Sequence, residues 1–195
     1  MATVPTLRKA GVDELKIFYG WMREQFHPGE LKYLSHIWAM CLKGVYAAYG
    51  LWDGDELIAY ALLGNTEDGR YRLLDYYAVL PEYQEQGWGS RFLQMLREEL
   101  SGDAMLLEVE DPLYSPDEAE AEHCRRRIRF YERNGCRHAG IDLNLFGFDY
   151  TIMVLPMAAD PEDSQVRAAL EEIYHYYFTP RLYAENVHFR KERRR

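Results

Sequence analysis

Residues 84–90 read Gln84-Glu85-Gln86-Gly87-Trp88-Gly89-Ser90. An apolar run over 71–80 precedes them and an amphipathic run over 90–100 follows. A strand, a glycine turn and a helix start together expose backbone N–H groups at the positive end of a helix dipole, and such a place binds anions, phosphate above all. The spacing separates the known phosphate turns. A P-loop needs a lysine and a hydroxyl residue after its last glycine, but here Ser90 follows Gly89 with no lysine near. A dinucleotide turn needs a third glycine where the helix packs on the strand, and that position is Phe92. The pattern Gln/Arg-x-x-Gly-x-Gly/Ala fits, through Gln84, Gly87 and Gly89.

With residues 73–100, including Leu74-Asp75-Tyr76-Tyr77-Ala78-Val79-Leu80 before the turn, and with Phe130-Tyr131-Glu132-Arg133-Asn134-Gly135-Cys136 after it, the chain resembles the GNAT-type N-acetyltransferase superfamily. The second segment is similar to that family's Phe-Tyr-x-x-x-Gly-Phe, with Cys136 in place of the last phenylalanine. The resemblance implies an α+β fold in which two parallel strands splay apart and admit the arm of acetyl-CoA. It implies that the backbone of Gln84, Glu85, Gln86, Gly87, Trp88, Gly89 and Ser90 holds the pyrophosphate, and that the backbone at Ala78 and Val79 takes the pantetheine arm. Trp88 itself reads as a core anchor of the helix. Tyr131 matches the family's tyrosine, and a phenol with a pKa near ~10 stays protonated at neutral pH and can protonate a leaving thiolate. The plain alternative for Tyr131 is one more apolar residue on a helix stripe.

Acetyl transfer to an amine also needs a proton acceptor. Asp75 lies four residues before Val79 and so on the same face of its strand, and Glu108 and Glu110 share a face of the next. Any of the three is a candidate base, directly or through water, and the residues do not choose among them. Each could equally be a satisfied polar group at a strand end. Together they make a cationic amine the expected acceptor, on a small molecule or a peptide. A non-catalytic acyl-CoA-binding sensor on the same fold is the second reading.

The elements that position these groups follow from periodicity. A short strand over residues 4–9 precedes a helix with Leu15, Phe18, Met22 and Phe26 on one face, stopped by His27-Pro28-Gly29. A second helix carries Leu31, Leu34, Trp38 and Leu42 and ends at Gly44. Strands over 45–52 and 57–63 join at an Asp53-Gly54 hairpin signal, and residues 71–80 form the third of the series. After the glycine turn, Trp88, Phe92, Leu96 and Leu100 give a one-sided helix. A strand over 105–109, a helix marked by Cys124, Ile128 and Tyr131, and a hairpin of 137–145 with 148–155 follow. Asp160-Pro161 is expected to cap a last helix bearing Val166, Leu170, Ile173 and Tyr177. The expectation is a mixed sheet of about seven strands flanked by helices, with residues 1–157 as an acetyltransferase domain and 158–195 as an appended helix and basic tail.

Composition sets the outer limits. The chain has 195 residues and a formal net charge of −9, which disfavours nucleic acid as a partner. The basic stretch from Arg190 to Arg195 reads as a solvated tail. No apolar run reaches the length of a membrane span, and no signal-peptide pattern precedes Val4. Cys41, Cys124 and Cys136 lack metal spacing, so no metal is expected even at His123-Cys124 or Cys136-x-His138, and reduced thiols in the cytoplasm are. The aromatic last helix packs on its own domain or on a second copy in a homodimer.

Overall fold

The computed structural model describes residues 4–190. In chain order the elements are β1 (Thr6–Lys9), α1 (Glu14–Gln25), α2 (Leu34–Leu42), β2 (Tyr46–Asp53), β3 (Glu56–Asn65), β4 (Tyr71–Val79), α3 (Trp88–Glu99), β5 (Ala104–Glu110), α4 (Glu118–Arg133), β6 (Arg137–Leu145), β7 (Phe148–Pro156), α5 (Asp163–Tyr177), α6 (Pro180–Asn186) and β8 (Val187–Arg190). This is an α+β fold with eight strands in its sheet, one more than the sequence suggests. Contacts divide the chain into two compact units. One lies within Met1–Asn65 and Leu74–Leu100, the other within Thr66–Leu73 and Ser101–Arg195, so β4 begins in the second and ends in the first.

In the first unit the strand order is β1-β2-β3-β4. β1 and β3 both pair antiparallel with β2, and β2 and β3 close on Gly54-Asp55 with Asp53 opposite Glu56. β3 is buried at every residue after Glu56, as a central strand covered on both faces must be. Phe18 and Met22 of α1, Ile37 and Met40 of α2, and Phe92, Leu93 and Leu96 of α3 complete this core. Phe18 stacks on Tyr60 with ring centroids 5.5 Å apart. The buried face of α2 differs from the expected one: Ile37 and Met40 are buried, while Leu42 is 81 % exposed and Leu31 precedes the helix. The sequence of α2 is apolar nearly all round, so periodicity alone does not fix its rotation and packing does.

In the second unit the order is β4-β5-β7-β6-β8. β7 pairs antiparallel with β5 and with β6, and β8 pairs antiparallel with β6, with Leu145 opposite Val187 and Asp142 opposite Arg190. Gly102, before β5, has φ 129°, and a Cβ there would lie 2.8 Å from Arg70 O, so the turn needs glycine.

Two expectations at the C-terminal end are corrected. α5 is capped by Glu162 in a capping box with Gln165, not by Asp160-Pro161. Asp160 instead accepts from Arg137 Nε at 2.7 Å. The stretch beyond α5 is also not simply a tail, since α6 and β8 follow. Thr179 accepts from Leu182 N–H and Pro180 opens α6, a capping signal readable in Thr179-Pro180. Arg190 closes β8, pairs with Asp149 at 2.8 Å and lies over the Tyr114 ring. The rest of the basic stretch, residues 191–195, lies outside the described residues.

Candidate active site

The glycine turn is built at the end of β4. Pro81–Tyr83 form a 3-10 turn, and Gln84 N–H is spent within it on Pro81 O at 3.3 Å. Gly87 is the N-cap of α3 with φ 81°, and no side chain caps the helix. Among the described residues, the N–H groups of Glu85 to Ser90 have no hydrogen-bond partner. Six consecutive unspent donors around a helix start suit an anion. A Cβ on Gly87 would meet nothing within 4 Å, so the space beside the turn is open. Glu85 takes φ 61°, a left-handed conformation that costs a side-chain-bearing residue about 1–2 kcal/mol.

The turn is fastened to its strand. Tyr77 stacks on Phe92 with ring centroids 5.3 Å apart and donates its hydroxyl to Gly89 O. Trp88, expected in the core, is half-buried with the Arg91 guanidinium 4.4 Å above its ring.

The Val79 peptide is held just as firmly. Leu80 N–H donates to Ile58 O of β3 at 2.9 Å. The two groups of a peptide point opposite ways, so Val79 O lies on the edge away from β3. In an extended strand a residue's own N–H shares the edge of its C=O, which puts Val79 N–H there too. Val79 O accepts from Gln25 Nε2 at 3.1 Å and from Gln84 Nε2 at 3.0 Å, and Gln25 Oε1 accepts from the Tyr60 hydroxyl at 2.7 Å. Burial pushes the Tyr60 phenol well up, so it stays a donor. Gln84 therefore contributes its side chain, not its N–H, and Gln25 is a member of the site that the sequence does not announce. Ala78 lies in the half-buried last turn of β4 beside it.

Asp75 already has partners on both carboxylate oxygens. Lys32 Nζ lies 2.9 Å from Oδ1 and 2.8 Å from Oδ2, and the Tyr46 hydroxyl donates to Oδ2. Next to it Tyr76, its phenol pushed up to about 12 by burial, donates to Glu30 O at 2.6 Å and accepts from Lys32 N–H at 3.0 Å. These bonds tie the connection between α1 and α2 to β4.

In the second unit, Glu108 and Glu110 project from one face of β5. Glu110 is paired with Arg127 of α4 at 3.0 Å and accepts from the Cys124 thiol at 3.7 Å. Glu110, Glu120 and Cys124 place ligand-type atoms within 4.8 Å of one another. Arg127 already neutralises Glu110, and burial pushes the Cys124 thiol up, away from the thiolate a metal needs. Glu108 accepts from the hydroxyl of Tyr174, a residue of α5. Tyr131 is 8 % exposed on the inner face of α4, and its hydroxyl has no hydrogen-bond partner among the described residues. Burial pushes its phenol up, so it holds its proton.

Residues 44–137 match the family model described as an acetyltransferase (GNAT) domain. Over that segment the chain is similar to GNAT acetyltransferases. Solved structures of GNAT enzymes share its fold. The ribosomal-protein-S18-alanine N-acetyltransferase of Escherichia coli is 24% identical, with a TM-score of 0.59 over 82% of this chain and 97% of that one. The spermidine N-acetyltransferase of Vibrio cholerae, solved with CoA and spermine, is 14% identical, with a TM-score of 0.57 over 79% and 96%. NAA60 of Arabidopsis thaliana, solved with a bisubstrate analogue, is 15% identical, with a TM-score of 0.60 over 80% and 100%. A search of curated protein sequences finds no significant match. Among the described residues no helix is long and apolar enough to cross a membrane.

Proposed function

We propose that this GNAT domain is an acetyl-CoA-dependent N-acetyltransferase that moves the acetyl group directly to a primary amine of a small molecule or peptide. One observation carries the donor half of the reading: the unpartnered N–H groups from Glu85 to Ser90 around left-handed Gly87. They suit the pyrophosphate of CoA, and Val79 N–H, on the edge away from β3, suits the pantetheine arm or the thioester oxygen.

The proton steps fall to Glu108 and Tyr131. A carboxylate paired with a cation is a poorer base, because the neighbouring charge favours its ionised form. Asp75 has Lys32 and Glu110 has Arg127, and Glu108 accepts from the Tyr174 hydroxyl. Glu108 takes the ammonium proton, the neutral amine attacks the thioester carbon, and as the C–S bond breaks Tyr131 gives its proton to the sulfur while the nitrogen sheds its second proton, which returns through water to the Tyr131 phenolate. Residues 1–157 are the catalytic part in this reading and 158–195 an appendage. The free cysteines suit a reducing, cytoplasmic setting.

The test is to incubate the protein with acetyl-CoA and a panel of polyamines, amino acids and peptide N-termini. CoA is followed by chromatography, because the partly exposed Cys41 would consume a thiol reagent. Amine-dependent CoA release with an acetylated product is expected. Binding of acetyl-CoA with no turnover on any amine would leave the sensor reading instead.

A further inference from the structure

Gln25 is the last residue of α1 and lies outside the segment that matches the GNAT family model. Its side chain bridges two strands. Oε1 accepts from the hydroxyl of Tyr60 in β3, and Nε2 donates to Val79 O at the end of β4, 54 residues away. Tyr60 is fully buried, stacks on Phe18 and keeps its phenol proton. That proton fixes which way the amide faces. Turned end for end, Gln25 would set Oε1 against Val79 O, two acceptors with no proton between them. The end of α1 is placed independently of these bonds: Phe18 and Met22 are in the core, and Phe26 packs edge-on against Tyr76 of β4 with ring centroids 5.1 Å apart.

Val79 O takes a second N–H from Gln84 Nε2, so both its lone pairs are used. Gln84 is five residues further along the chain and belongs to the glycine turn, whereas Gln25 ties the same oxygen to α1 and β3. A ligand on this edge of β4 is left the N–H of Val79, which takes a carbonyl oxygen. We propose that Gln25 is a positioning residue for the thioester: the Tyr60–Gln25–Val79 relay holds the end of β4 so that Val79 N–H points at the thioester oxygen. The inference rests on the acyltransferase reading above. A donor aimed in advance at the oxygen that gains charge costs no reorganisation during the reaction. None of the N–H groups from Glu85 to Ser90 belongs to the relay, so the relay governs the reacting carbonyl rather than the hold on CoA.

The experiment records isotope-edited infrared spectra of bound acetyl-CoA, labelled at the thioester carbonyl carbon, for the full chain, Gln25→Met and Tyr60→Phe. It adds kcat on the best amine of the panel and CoA affinity by calorimetry. In Gln25→Met the carbonyl band should lie at higher wavenumber and be broader than in the parent, as a longer and less uniform hydrogen bond requires. Its kcat should fall about 10-fold, part of the 10²-fold or more that loss of a whole oxyanion donor costs, with CoA affinity changed less than about twofold. Tyr60→Phe keeps the ring on Phe18 and removes only the hydroxyl, so it should move band and rate the same way by less. Introduced into Gln25→Met, it should cost almost nothing further in rate. If Gln25→Met does not fold, Tyr60→Phe carries the test alone. A band and kcat that match the parent in the folded variants overturn the role of Gln25 and leave the enzyme reading intact. A fall in kcat with an unmoved band also overturns it and assigns Gln25 to packing. Shifted bands in the variants of a parent that turns over no amine uphold the positioning role and overturn the enzyme reading alone. A parent chain that does not bind acetyl-CoA overturns both together.

Discussion

Lys32 and Asp75 form a nearly buried ion pair: the ammonium lies 2.8 Å from one carboxylate oxygen, with side chains 15 % and 6 % exposed. Lys32 belongs to the connection between α1 and α2, and Asp75 to β4, so the pair spans 43 residues of sequence. Removing one partner of such a pair leaves the other charge stranded, at a cost of about 3–5 kcal/mol. Lys32→Met should lower unfolding stability by roughly 3 kcal/mol in urea titration. Adding Asp75→Asn, which removes the stranded charge and leaves an acceptor for Tyr46, should recover more than half of that loss. Additive losses in the double variant would mean that the two side chains do not interact in solution.

His36 sits on α2 close to the same pair. Burial lowers its pKa below the usual 6.5, the positive charges of Lys32 and Lys43 lower it further, and Asp75 pulls the other way. A histidine whose folded pKa is depressed contributes stability above its unfolded value, and this is lost as pH falls through 6.5 toward the folded pKa. Acidification from about pH 7.5 to 5.5 should therefore destabilise the parent more than His36→Asn. The comparison needs urea midpoints at both pH values. An equal drop in the two proteins would show that other groups carry the acid sensitivity.

Local pattern made much of this molecule readable. The glycine turn, the one-sided α3, the Asp53-Gly54 hairpin and the buried face of α5 depend on residues within one or two turns of each other. What escaped depends on distant partners or on degenerate patterns. α2 is apolar nearly all round, so Ile37 and Met40 could not be told from Leu34 and Trp38. β8 is four residues long and is stabilised by its ladder with β6. At the site, the carboxylates and the tyrosine were readable as chemistry, but their partners were not. Gln25 meets Val79 across 54 residues and Tyr174 meets Glu108 across 66, and nothing in the spacing of either pair announces the contact. Those partners bear on the chemistry, because Lys32 and Arg127 each set a positive charge beside a base candidate.

Gly87 is the point where the donor site meets backbone geometry. Its φ of 81° is strained for any residue with a Cβ, although a Cβ there would touch nothing. Gly87→Ala should therefore cost about 1–2 kcal/mol through conformation alone. The substitution either keeps the turn and lowers the melting temperature, or relaxes it and turns the N–H groups of 85–90 out of convergence. Acetyl-CoA binding by calorimetry should weaken several-fold in either case, with kcat changed less than KM. Unchanged affinity and an unchanged melting temperature would dissociate this turn from the donor.

In the proposed reaction Tyr131 carries the leaving-group step, and its hydroxyl has no hydrogen-bond partner among the described residues. Burial holds the phenol protonated across the range in which an amine acetyltransferase would work, and the residues packed around it leave that proton unclaimed. Tyr131→Phe keeps the ring that α4 buries and the edge-on contact with Phe130, whose centroid is 5.2 Å away. Stability should thus change by less than about 1 kcal/mol, since no protein hydrogen bond is lost. Turnover should fall by about 10²-fold, the lower range for loss of a general acid, with acetyl-CoA affinity unchanged. An acyl donor whose thiol leaves without protonation separates this role from packing. With a thiophenyl ester as donor, Tyr131→Phe should approach the parent rate, because a weakly basic thiolate needs no acid. A rate deficit equal for both donors would assign Tyr131 to shape rather than to proton transfer.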